Sequence, residues 1–247
     1  MIHRSIAYFA AVTCAATAMP LSASCTEVRA VLELFTSQGC SSCPPADKLL
    51  AQFAEDPSLV SVSLPIDYWD YLGWKDTLAD PRHSARQRAY SKVRGDHEVY
   101  TPQVVVNGSV HALGSDKNAI EMAIVKSRQN PETLALPVKL SVTGDHLVLS
   151  VPQENNLDMP AEIWMAGLTR AVTVTIKRGE NKGKTITYHN VARHWFKVDA
   201  WNGKSNTWTV PLQEIDRDGV NGAAVFVQAG TDEKPNKVLG TAIAQIR

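Results

Sequence analysis

The sequence predicts an α/β unit followed by an all-β, antiparallel, sandwich-like unit. Three observations predict this. Up to about residue 127, strand-length apolar runs alternate with segments of helical periodicity. From Val138 onward the chain reads as strand after strand, punctuated by the turn pairs Gly144-Asp145, Asn202-Gly203 and Asp218-Gly219. With 247 residues, the chain has room for two cores. The expected divisions are residues 1–24, 25–130 and 131–247.

The first division reads as an export signal. Met1 to Arg4 form a basic start, Ile6 to Thr17 an apolar stretch too short to span a bilayer, and Ser22-Ala23-Ser24 a small-residue cleavage site. Cleavage there would remove Cys14 and leave Cys25, Cys40 and Cys43. Three cysteines are too few for a disulfide scaffold and fit one functional pair plus an odd residue. Ser22, three residues before Cys25, argues against lipidation. The expected location is periplasmic or secreted. The chain balances 25 basic against 25 acidic residues. Without a basic block or aromatic stripe, nucleic acid is not an expected partner. No membrane span is expected after the signal.

The informative stretch is Val28 to Phe53. The run Val31-Leu32-Glu33-Leu34-Phe35 predicts a buried strand. Ala46, Leu49, Leu50, Phe53 and Ala54 follow helical spacing, and Pro44-Pro45 suit the helix entry. Between them, Cys40-Ser41-Ser42-Cys43 lies at the N-terminus of the helix, whose dipole favours thiolate over thiol. This arrangement predicts a redox-active dithiol. The other readings are an inert structural disulfide and a zinc half-site, the latter short of the four ligands that structural zinc usually takes.

A second strand is expected at Leu59 to Asp67, parallel to the first. An irregular aromatic segment follows, with Tyr68, Trp69, Tyr71 and Trp74 as either a satellite core or an apolar lip beside the cysteines. Asp67 and Asp70 alone are weak evidence for a cation. Asp80-Pro81 is a helix start, and Gly95 ends that helix. Val104 to Val106 form a strand, Asn107-Gly108 a hairpin turn, and His111-Ala112-Leu113 the returning strand. Ser115 or Asp116 caps a further helix.

This order resembles the thioredoxin fold. The resemblance implies a cis Thr101–Pro102 bond beside the dithiol, with Thr101 and Pro102 meeting the substrate. It also implies that Cys40 attacks, Cys43 resolves the mixed disulfide, and Glu33 accepts a proton from Cys43. Gly39 replaces the usual aromatic before the first cysteine, and Ser41-Ser42 replaces Gly-Pro.

Three runs narrow the resemblance: Leu32 to Asp47, Asp67 to Trp74, and Thr101-Pro102-Gln103. With Arg178-Gly179-Glu180-Asn181 and Tyr188-His189-Asn190-Val191, they resemble domain-of-unknown-function family 1223. That resemblance implies an exported bacterial protein with a thioredoxin-like core.

In the second half, strands are expected at Val138–Val142, Leu147–Val151, Glu162–Leu168, Val172–Lys177 and Thr185–Val191. Others are expected at Phe196–Ala200, Thr207–Val210, Ala224–Ala229 and Val238–Ile246. Tyr188, His189, His194 and Trp195 lack the clustering of a metal site, and neither metal nor cofactor is expected.

The expected function is thiol–disulfide oxidoreductase, as reductase or isomerase. Cys40, Cys43 and Glu33 would carry the chemistry, and Thr101, Pro102, Trp69 and Trp74 would bind substrate. Its partners would be exported protein thiols or disulfides and a redox partner. The alternatives are a binding or scaffold module with a structural disulfide, and a copper(I) metallochaperone using two soft thiolates.

Overall fold

The structure is a computed structural model and describes residues 27–217 and 219–246. The expected signal segment, with Cys14, and Cys25 just after it lie outside these residues.

Strand β1 (Ala30–Thr36) leads into α1 (Pro44–Phe53), β2 (Leu59–Pro65), a 3-10 turn (Asp70–Leu72) and α2 (Pro81–Arg94). Then come β3 (Gln103–Val106), β4 (Val110–Leu113) and α3 (Lys117–Ser127). The remainder is β5 (Lys139–Thr143), β6 (His146–Val151), β7 (Ala161–Thr175), β8 (Thr185–Trp201), β9 (Asn206–Pro211), β10 (Gly222–Thr231) and β11 (Lys234–Gln245), with a 3-10 turn at Leu212–Glu214.

The local signals have physical counterparts. Asp80 caps α2 by accepting from the Arg82 N–H at 2.8 Å, Pro81 opens the helix, and Gly95 closes it at φ +78°. Asp116 caps α3 through the Ala119 N–H at 3.0 Å. Asn107 and Gly108 both have positive φ, as a tight β3–β4 hairpin requires. The Asn107 side chain also accepts from the Val31 N–H at 2.7 Å and donates to the Ser127 hydroxyl at 2.8 Å, tying the hairpin to β1 and α3.

The expected fold class is corrected. The chain does not form a thioredoxin-like α/β unit followed by an all-β sandwich. Of the described residues, strands make up 42% and helices 19%, and most strands belong to one sheet. That mixed, eight-stranded sheet has the order β11-β10-β7-β8-β2-β1-β3-β4. The junction is parallel: Ser63 of β2 faces Val191 of β8, and the Asn190 amide donates to the Ser61 carbonyl at 3.0 Å. The physical reason lies in β2, which is buried along its whole length. A strand so covered needs partners on both edges, and β8 supplies the second.

The other three strands, β5-β6-β9, form a small sheet. It packs Leu149 and Val151 against Ile163, Val225, Val227 and Leu239 of the large sheet. Around β1, the even-numbered residues Ala30, Leu32 and Leu34 pack with α1 and α3. The odd-numbered Val31 and Phe35 pack on the other face with Tyr90 of α2, Trp164, Trp195 and Phe226.

Strands β7 and β8 are each one long strand where two shorter ones were expected. They stay paired from Ala161–Trp201 to Thr175–Thr185, with register shifts that let them bend. Their far end forms a hairpin arm that reaches α1 and the cysteine loop.

Candidate functional site

Cys40 and Cys43 are joined by a disulfide, with Cα atoms 5.4 Å apart. Cys43 is the N-cap of α1, with helical φ and ψ of −75° and −36°. Its carbonyl accepts from the Ala46 N–H at 2.8 Å and the Asp47 N–H at 3.1 Å. Pro44 and Pro45 lack N–H groups, so the helix entry offers its dipole but fewer donors than usual. Cys43 is fully buried and Cys40 is 5% exposed, while Ser41 and Ser42 are exposed. The two sulfurs are therefore unequal, with Cys40 on the accessible side.

The Thr101–Pro102 bond is cis. Cys40 Sγ lies 3.8 Å from the Thr101 carbonyl oxygen, and the Ser42 hydroxyl donates to that oxygen at 3.4 Å. Gln87 of α2 steadies the segment by donating to the Tyr100 carbonyl at 2.8 Å. The Trp69 indole donates to the Thr101 hydroxyl at 2.8 Å, and exposed Tyr71 stacks on Trp69 at 6.1 Å. Cys40, Thr101, Pro102 and Trp69 thus stand together. A Cβ on Gly39 would meet Trp69 Cβ at 3.2 Å, which accounts for glycine before the first cysteine.

Trp74 stands behind the loop. Its indole donates to Gln38 Oε1 at 2.8 Å, and its Cβ faces Gly179 of the β7–β8 turn. Two further residues support the same loop. Asp76 accepts from the Gln38 N–H at 2.7 Å. Buried Asn181 donates from its amide to the carbonyls of Gln38, at 2.9 Å, and Cys40, at 2.7 Å. The loop therefore receives its geometry from the hairpin tip, far away in sequence.

Glu33 is placed away from the cysteines. As an odd-numbered residue of β1 it points to the α2 face, opposite α1. Arg86 holds it through contacts of 2.6 and 3.1 Å, and the Tyr90 hydroxyl donates to it at 2.6 Å. Gln228 of β10 accepts from Arg86 at 2.9 Å and donates to the Tyr90 hydroxyl at 2.8 Å. Burial disfavours the guanidinium charge, but Glu33 and Tyr90 together hold the Arg86 pKa above its ordinary value.

The acid on the cysteine side is Asp47 of α1, which helical periodicity did not single out. It is buried, and one oxygen accepts from the Thr36 hydroxyl at 2.8 Å. Burial pushes its pKa up to about 8; the Thr36 hydrogen bond opposes this and the Asp76 charge adds to it. Asp76 is itself raised to about 6, first by burial, against the hydrogen bonds from the Gln38 and Leu78 N–H groups. Tyr188 of β8 is raised by burial and by both carboxylates. Asp47 Oδ2, Ser63 Oγ and the Tyr188 hydroxyl have no hydrogen-bond partner among the described residues.

Of the other candidates, His194 stacks on Phe196 at 5.0 Å, and Trp195 packs between Trp164 and Phe226. Among the described residues, no three His, Cys, Asp or Glu side chains are grouped as a metal site. No described helix is long and apolar enough to cross a membrane.

The class these features define is a mixed-sheet protein with a disulfide at a helix entry, facing a cis-proline loop. The chain belongs to the family described as Protein of unknown function (DUF1223), whose model matches residues 31–228. It is similar to a crystal structure of a protein from Agrobacterium tumefaciens, at 32% identity and a TM-score of 0.79, covering 90% of this chain and 96% of that one. No curated protein matches it.

Proposed function

We propose that the protein carries out thiol–disulfide exchange through Cys40 and Cys43 in an extracytoplasmic compartment. The observation that carries this reading is the inequality of the two sulfurs. Cys40 faces exposed Ser42 and the half-buried Thr101 carbonyl, whereas Cys43 is enclosed at the head of α1. An incoming thiolate reaches Cys40, and Cys43 becomes the leaving sulfur. Thr101 and Pro102 offer backbone beside the attacked sulfur, and Trp69 with Tyr71 offers an apolar face to an extended peptide. The export signal read at residues 1–24 fits a compartment in which disulfides persist. The scarcity of N–H donors at the Pro44-Pro45 entry supports only moderate thiolate stabilisation, which favours a reductase or isomerase over a strong oxidant.

The test is trapping with Cys43→Ala in the native host. The variant should accumulate Cys40-linked mixed disulfides that a reducing agent releases. A second reading, a purely structural disulfide, draws on the near-complete burial of both sulfurs and the Asn181 clamp. It predicts no adducts and a Cys40 thiol that alkylates no faster than Cys43 in the reduced protein. That result would replace the exchange reading.

A further inference from the structure

We infer that the Asp47 carboxyl exchanges a proton with the Cys43 sulfur during disulfide exchange; this rests on the function proposed above. Cys43 and Asp47 are one helical turn apart, with the Asp47 N–H donating to the Cys43 carbonyl at 3.1 Å. Residues four apart stack on one helix face, with Cβ atoms about 5–6 Å apart. Both side chains are buried, so bulk water is a poor proton source for a sulfur leaving at this position. Thr36 occupies Asp47 Oδ1, whereas Oδ2 has no hydrogen-bond partner among the described residues and can give or take a proton.

The groups acting on Asp47 come from three elements. They are the Thr36 hydroxyl at the end of β1, the Asp76 carboxyl after the 3-10 turn, and the Tyr188 phenol on β8. A hydroxyl, one acid and a phenol place no positive charge against the carboxylate, and burial disfavours it further. At neutral pH the group is therefore protonated, and its affinity for the proton is close to that of a thiol.

The step balances from the oxidised form. A partner thiolate attacks Cys40 Sγ, forming a new S–S bond and breaking the Cys40–Cys43 bond. The electron pair leaves on Cys43, which takes the proton of Asp47 and becomes a thiol, and Asp47 is left as carboxylate. A second thiolate of the partner then attacks the partner's own sulfur in the mixed disulfide and releases Cys40 as thiolate. The partner is oxidised by two electrons and the cysteine pair is reduced by two. In reverse, the Asp47 carboxylate takes the Cys43 proton as that sulfur attacks the mixed disulfide.

The experiment follows reduction of the full-length protein's disulfide by dithiothreitol across pH, with rates normalised to reagent thiolate. The wild-type normalised rate should fall as pH rises through about 8. Asp47→Asn should lack that inflection and react about tenfold or more slowly at neutral pH. A variant that keeps the inflection, or that stays within about twofold of the neutral wild-type rate, overturns the proposal. If the variant does not fold, carboxyl carbon NMR of the aspartate-labelled wild type decides. One aspartate must titrate above Asp76 in the disulfide form and shift its titration on reduction; absence of such a group overturns the proposal. Substrates trapped by Cys43→Ala alongside an unchanged Asp47→Asn profile would sink the proton step alone. The opposite pair of results would sink the substrate reading alone.

Discussion

Asn181 serves two backbone carbonyls with one amide nitrogen, and both belong to the loop that carries Cys40. Its own oxygen is engaged by Lys184 at 2.8 Å, which fixes the amide orientation. Replacing it by leucine leaves the Gln38 and Cys40 carbonyls without their donor in a buried setting. A buried unsatisfied group costs about 1–3 kcal/mol, so Asn181→Leu should lose about 2–4 kcal/mol. Urea unfolding of the disulfide form, read as a midpoint shift at constant slope, measures this. A loss below about 0.5 kcal/mol would mean that the hairpin tip does not hold the loop. Gly39 acts at the same scale by absence: the space a Cβ would take is occupied by the Trp69 backbone and Cβ.

At the scale of elements, α2 reverses the usual pattern by burying polar side chains, including His83, Arg86, Gln87 and Tyr90. Its core contact is the Glu33–Arg86 ion pair, completed by Tyr90 and Gln228. Breaking a buried pair from one side strands the other charge, at a cost of about 3–5 kcal/mol. Glu33→Gln should therefore destabilise by roughly that amount in denaturant, yet leave the pH profile of disulfide reduction unchanged, because Glu33 faces away from α1. A changed profile with little loss of stability would return Glu33 to the chemistry. Helix caps, the Asn107-Gly108 hairpin and the Cys40-to-Pro45 helix entry were legible because each is set by neighbouring residues. The pairing of β2 with β8 was not, since it joins edges about 130 residues apart without a local signal. Asp47 was missed for the same reason: a polar position on α1 becomes a buried acid only once the β7–β8 arm covers it. The Arg178-Gly179-Glu180-Asn181 and Tyr188-His189-Asn190-Val191 runs, part of the family resemblance, lie far from the cysteines in sequence. The fold brings Asn181 to the Cys40 carbonyl, Tyr188 beside Asp47 and Asp76, and Asn190 to the Ser61 carbonyl.

Across the whole molecule, the continuous sheet encloses titratable groups between layers, and its stability inherits their pKa values. Asp47 is raised from 3.8 to about 8, so between those values the folded protein holds a proton that the unfolded chain has released. Stability from this group is full below 3.8 and is lost as pH rises through about 8. Asp76, raised to about 6, acts in the same direction over a narrower range. His83 opposes them. Burial lowers its pKa from 6.5 to about 4, against the hydrogen bond with the Pro65 carbonyl, so its contribution is lost as pH falls through that window. Below 6.5 these slopes partly cancel; from there to about 8, Asp47 dominates. One proton of difference is worth about 1.4 kcal/mol per pH unit, which gives a decline of about 2 kcal/mol across that interval. Urea unfolding of the disulfide form at both ends of the interval should show this decline in the wild type. Asp47→Asn, neutral throughout, should be nearly flat. Equal declines in the two proteins would mean that Asp47 ionises normally in the fold, and would remove the physical basis for its role as a proton carrier beside Cys43.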